Sequence, residues 1–120
     1  MTAAARSVLV FGVYLMATAA MLIVSPNTML GLLHIAPTTE PWIHVLGMIV
    51  GILGGYYVLS ARAGLTPFFH ATVWLRVLAL VGFAGLAAAS LAPAALIGFG
   101  VVDCLGALWT WSALRTRPER

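Results

Sequence analysis

The chain has 120 residues, of which 62% are hydrophobic and 8% charged. A soluble domain carries roughly a quarter charged residues, so this composition cannot coat a core with polar surface, and the apolar exterior must meet lipid. The formal charge of +3 comes from Arg6, Arg62, Arg76, Arg115, Arg117 and Arg120 set against Glu40, Asp103 and Glu119. No stretch joins several of these arginines to exposed aromatics, which excludes a nucleic-acid surface.

The first apolar run covers residues 7–24, about 27 Å of helix and just enough for a hydrocarbon core. Arg6 ahead of it and Ala17-Thr18-Ala19 within it imitate a secretory leader. The run outlasts a normal leader's apolar region, so it reads as an uncleaved first span. Ser25-Pro26 ends it. Residues 26–35 are too short to cross and read as a short interfacial helix. Residues 36–41, with Pro37 and Pro41, form a loop.

The second span is residues 42–61, followed by a tight turn over residues 62–65. Thr66-Pro67 then offers an N-cap hydroxyl before a proline at the first helical position. The third span is residues 67–91, and Ala92-Pro93 turns the chain into the fourth, residues 94–114. The expected architecture is all-α, an integral membrane four-helix bundle in a single transmembrane domain over residues 1–120. Arg6, Arg62, Arg115, Arg117 and Arg120 fall at the two termini and the middle turn, and the other two connections hold no arginine. Arginine-rich segments stay in the cytoplasm, so both termini are expected inside, in the inner membrane of a cell. Trp42 falls at the outer interface and Trp109 and Trp111 at the inner one, as aromatic belts do.

Two charges lie within spans. A lone charge there costs about 2.5–3.5 kcal/mol on insertion scales, and such residues pair or face a polar cavity. Arg76 is about 13–14 Å deep and Asp103 about 16–17 Å deep, counted at helical rise from the cytoplasmic end. The third and fourth spans are joined by a short turn and should be antiparallel neighbours, so an Arg76–Asp103 ion pair is expected. It either pins the register of two helices or marks a functional pocket. Thr72 shares a face with Arg76; Gly100, Gly106, Ala107 and Thr110 share one with Asp103 and leave space beside its carboxylate. Tyr14, Tyr56 and Tyr57 fall in the same half of the bilayer. They either line a cavity there or, for Tyr56 and Tyr57, belong to the interfacial belt.

Gly47, Gly51 and Gly55 recur every fourth residue, with His44 and Val58 in line. This is a glycine zipper, either for close packing within the chain or for a homo-oligomer seam. His34, His44 and His70 are dispersed; His44 and His70 differ in depth by roughly 20 Å and cannot share a metal or a haem. Cys104 lies in an apolar run and reads as a small buried hydrophobe. No metal, phosphate or nucleophile motif is present, so no metal site, cofactor or catalytic residue is assigned.

The stretches Gly54-Gly55-Tyr56-Tyr57, Ala61-Arg62-Ala63, Pro67-Phe68-Phe69, Thr72-Val73, Arg76 and Asp103-x-x-Gly106-Ala107-x-x-Thr110 resemble a pattern in small bacterial four-span membrane proteins that are loosely DoxX-like. The resemblance covers roughly the last two-thirds of the chain. It implies a four-helix bundle in the bacterial inner membrane and no agreed activity. The function expected is therefore a non-enzymatic accessory subunit, or a binder of a small lipophilic or anionic ligand held by Arg76, Asp103, Thr72, Thr110, Tyr56 and Tyr57. The partners expected are the lipid bilayer and a second copy or another membrane protein. The alternatives are an oligomeric proton-coupled transporter using Asp103 and a compact membrane enzyme or haem protein.

Overall fold

A computed structural model describes residues 1–116. Arg117, Glu119 and Arg120, expected in the cytoplasmic tail, lie outside the described residues. Among the described residues the structure is entirely helical: α1 (Ala3–Val24), α2 (Pro26–Leu32), α3 (Trp42–Ala63), α4 (Thr66–Ala88), a 3-10 turn (Ala94–Leu96) and α5 (Ile97–Arg115). Four of these helices are long and apolar enough to cross a membrane, the last counted together with the 3-10 turn that leads into it.

The boundaries follow from cap chemistry. The Thr2 hydroxyl accepts from the Ala5 N–H and starts α1 a turn before the apolar run does. Gly64, at φ 67°, ends α3: its N–H donates to the Ala61 carbonyl and that of Leu65 to the Ser60 carbonyl, the paired bonds of a Schellman cap. The same motif closes α2 at His34 (φ 59°) and α4 at Ser90 (φ 60°), with Ile35 donating to Leu30 and Leu91 to Leu86. Ser90 therefore stops the third span at Ala88, three residues short of the expected end. Thr66 does not act as the expected N-cap. It is already the first residue of α4, Leu65 is the cap, and no side chain bonds the first turn.

The centre of the molecule is α1. It packs along α3 on one side and α5 on the other and touches α2 and α4. The pair α4–α5 is the other extensive contact, as the short turn between those spans requires. By contrast α3 and α4, also joined by a short turn, meet through side chains rather than by backbone approach. Tyr57 packs edge-on against Phe68 and lies beneath the Arg76 guanidinium. The buried core gathers Ala4, Ala5, Val8, Phe11, Tyr57 and Phe69, with Ala113 and Leu114 packed on it. It lies at the end of the molecule that carries Arg6, Arg62 and Arg115. Outward faces are apolar: on α4, Trp74, Leu75, Leu78 and Val81 are each at least 59% exposed.

The glycine zipper is only partly the contact. A Cβ at Gly47 would meet Ile23 and Leu22 at 2.9 and 3.0 Å, and one at Gly51 would meet Ala19 at 3.2 Å. At Gly55 it would meet nothing within 4 Å. The closest approach of α1 and α3 uses Gly54 and Gly12 instead. A Cβ on Gly12 would stand 2.8 Å from the Tyr57 Cβ, and one on Gly54 would stand 2.9 Å from the Gly12 carbonyl oxygen. The four-residue spacing tilts off the α1 interface as α3 crosses it, and the seam moves over by one residue. Gly12→Ala and Gly54→Ala should each lower stability by about 1–3 kcal/mol through overpacking, whereas Gly55→Ala should be neutral or stabilising by up to about 1 kcal/mol. Thermal unfolding in detergent gives the ranking, and an equal loss at all three positions would contradict this seam.

Candidate functional site

Arg76 is 3% exposed. Its place is set by α4 running from Thr66 with Thr72 one turn before it, so the side chain turns back along its own helix. Nε donates to the Thr72 carbonyl at 3.2 Å, and Nη2 to the Thr72 hydroxyl at 3.0 Å and the Thr110 hydroxyl of α5 at 2.9 Å. The guanidinium also lies over the Phe11 ring of α1, 4.8 Å from its centroid, and 5.7 Å from that of Tyr57. Such ring faces attract a desolvated cation by about 0.5–2 kcal/mol each.

The hydroxyls around it form an ordered chain. The Ser7 hydroxyl donates to the Ala4 carbonyl at 2.7 Å and lies 2.8 Å from the Thr110 oxygen. A hydroxyl has one proton, so Ser7 has none left and Thr110 is the donor between the two. The sequence runs Arg76 to Thr110 to Ser7 to Ala4, from α4 through α5 into the start of α1. Thr72 is committed in the same way, donating to the Phe69 carbonyl at 2.9 Å. One guanidinium thus ties three spans.

The expected ion pair is absent. The Arg76 bonds go to hydroxyls and a carbonyl, and its Nη1 is buried with no hydrogen-bond partner. Nη1 abuts Gly106, where a Cβ would stand 3.1 Å from it and 3.0 Å from the Phe11 ring. Asp103 lies one turn away on α5, half-buried. No hydrogen bond or ion pair to its carboxylate is formed among the described residues. Counting depth from helix ends found the right neighbourhood. It missed that Thr110, two turns further along α5 toward the end that carries Arg115, lies where the Arg76 side chain points.

The other expected residues divide. Thr72, Thr110 and Tyr57 are buried in the cluster, while Tyr56 is 59% exposed and points away from it. Tyr14 is half-buried and packs on Phe11 with ring centroids 5.4 Å apart. The space expected beside the carboxylate is filled: Leu80 of α4 occupies the notch at Gly100, and Phe11 with the guanidinium occupies that at Gly106. Cys104 is half-buried rather than buried and lines an apolar groove with Val73, Trp74, Val77 and Trp111. His44 donates from Nδ1 to the Ile23 carbonyl at 3.0 Å, and His34 sits in the α2 cap. Ser7 and Phe11 were not identified from sequence, because a serine and a phenylalanine in a first span carry no signal until the helix beside them is known.

Removing the bridge should be costly. Thr110→Val, nearly isosteric, should destabilise by about 1.5–3 kcal/mol, the worth of a hydrogen bond to a charged group, and Thr110→Ser should recover most of it in the same unfolding assay. Comparison of the chain with family models, curated proteins and solved structures gives no match.

Proposed function

We propose that this is a small non-enzymatic inner-membrane protein that binds the negative headgroup of a lipophilic ligand at Arg76, in the cytoplasmic half of the membrane. One observation carries the reading. A guanidinium held in place on three N–H bonds keeps a fourth face, Nη1, buried and unsatisfied. Leaving such a donor unpaired costs about 1–3 kcal/mol, so an acceptor reaching it gains that energy back. The surroundings support an amphiphile. Phe11, Tyr14 and Tyr57 supply aromatic walls, and the outward faces of the spans on either side meet lipid.

The topology that goes with this reading puts Arg6, Arg62 and Arg115 on the cytoplasmic side, α2 at the opposite interface and Trp42 beside it. An accessory role alongside another membrane protein, or pairing with a second copy, belongs to the same reading. The resemblance to DoxX-like proteins over roughly the last two-thirds of the chain points the same way, to a small bacterial membrane subunit.

Mass spectrometry of the protein released from mild detergent is the test. Wild type should carry a small acidic amphiphile, and Arg76→Gln, folded by circular dichroism, should lose it. Ligand-free wild type, or equal occupancy in both, would overturn the assignment to Arg76. The second reading, a proton-coupled transporter, draws on the half-buried Asp103 carboxylate without a hydrogen-bond partner. Proton-driven flux in liposomes that stops in Asp103→Asn would favour it, and flux that survives the substitution would exclude the carboxylate from that role.

A further inference from the structure

One polar group from each long helix comes to the same region: Tyr14 of α1 and Tyr57 of α3 pack on Phe11, Arg76 of α4 lies over Phe11 and Tyr57, and Asp103 of α5 stands one turn before Gly106, against which Nη1 lies. These are the titratable and charged groups that face the carboxylate from the elements packed around it. The 3-10 turn brings none, and Cys104 beside it on α5 faces the groove toward Trp74. The phenols are uncharged donors. The charge of the cluster is therefore the sum of one guanidinium and one carboxylate, which is zero.

That neutrality limits what can be bound. Burying a net charge in a medium that cannot solvate it is far more costly than burying a neutral set. An anion placed on Nη1 would by itself leave the cluster at minus one, with the new charge close to Asp103. The geometry offers one compensation. The carboxylate makes no hydrogen bond or ion pair to the residues around it, so taking up a proton disrupts no contact. Arg76, by contrast, is fixed as a cation by three donated bonds.

We infer that the site binds an anionic headgroup together with one proton, the proton going onto Asp103, so that the cluster is neutral both empty and filled. This rests on the ligand reading above and adds what is exchanged. Protonated Asp103 also becomes a donor beside the headgroup, so the proton contributes a hydrogen bond as well as removing a repulsion. The coupling is thermodynamic linkage: anion binding favours protonation, and protonation favours the anion to the same extent.

The test is titration calorimetry on the full chain in lipid nanodiscs, with empty discs subtracted. The probe is decanesulfonate, whose headgroup stays ionised, so any proton uptake belongs to the protein; decanoate is run beside it. Measurement in two buffers of different ionisation enthalpy gives the protons exchanged. Wild type should take up about one proton per sulfonate near neutral pH, with Kd rising about tenfold per pH unit. Asp103→Asn should still bind, with no proton uptake and a flat pH dependence, and Arg76→Gln should not bind. Binding by wild type without uptake, or uptake unchanged in Asp103→Asn, would overturn the coupling and leave the ligand reading standing. Failure of wild type to bind either probe would overturn both.

Discussion

A positive charge buried among apolar helices is the constraint around which this structure is arranged. Among the described residues no carboxylate bonds the guanidinium of Arg76, so its charge is spread over threonine hydroxyls, a carbonyl and two aromatic faces. Each of these partners is weaker than an ion pair, and they come from different helices. Satisfying the arginine therefore requires α1, α4 and α5 to be correctly placed at once. A direct ion pair would have joined only α4 to α5.

The central position of α1 follows from the same requirement. Phe11 must lie against the guanidinium and Ser7 must receive the Thr110 proton, so one face of α1 is committed to α4 and α5. The adjacent face, which carries Gly12, is then free for α3, and the absence of a side chain at Gly12 and Gly54 lets the two backbones approach closely. For helices as apolar as these, were they in lipid, hydrophobic burial would give little drive to association, because lipid tails are as apolar as leucine. Close backbone packing with α3 and a hydroxyl network with α4 and α5 hold α1 without depending on that drive.

Element existence was legible in the sequence because it depends on run length and on prolines, which are local. The three turns, the short α2 and the spans all appear where hydropathy puts them, with ends displaced by caps at Thr2, Ser90 and Leu65 that hydropathy does not sense. The site was half legible. A charge in a span announces itself, and helical periodicity put Thr72 on the Arg76 face, where it bonds the guanidinium, whereas Thr110, placed on the Asp103 face, bonds Arg76 instead. What periodicity does not contain is the rotation and tilt of one helix against another. That is why Gly54 rather than Gly55 meets α1, why Tyr56 turns outward while Tyr57 turns in, and why the arginine reaches Thr110 and not Asp103. Ser7 and Phe11 were invisible for the same reason.

The link from Arg76 to Thr110 has a consequence for how the protein is made. Thr110 is 34 residues downstream, a few seconds of synthesis at about 5–20 residues per second. During that interval α4 is complete but its cation lacks the hydroxyl it will share with α5. The nascent chain thus holds its most expensive residue with an unfinished partner set just as that segment leaves the ribosome. Keeping α4 and α5 together as a hairpin until Thr110 is in place removes the need to expose the arginine at all.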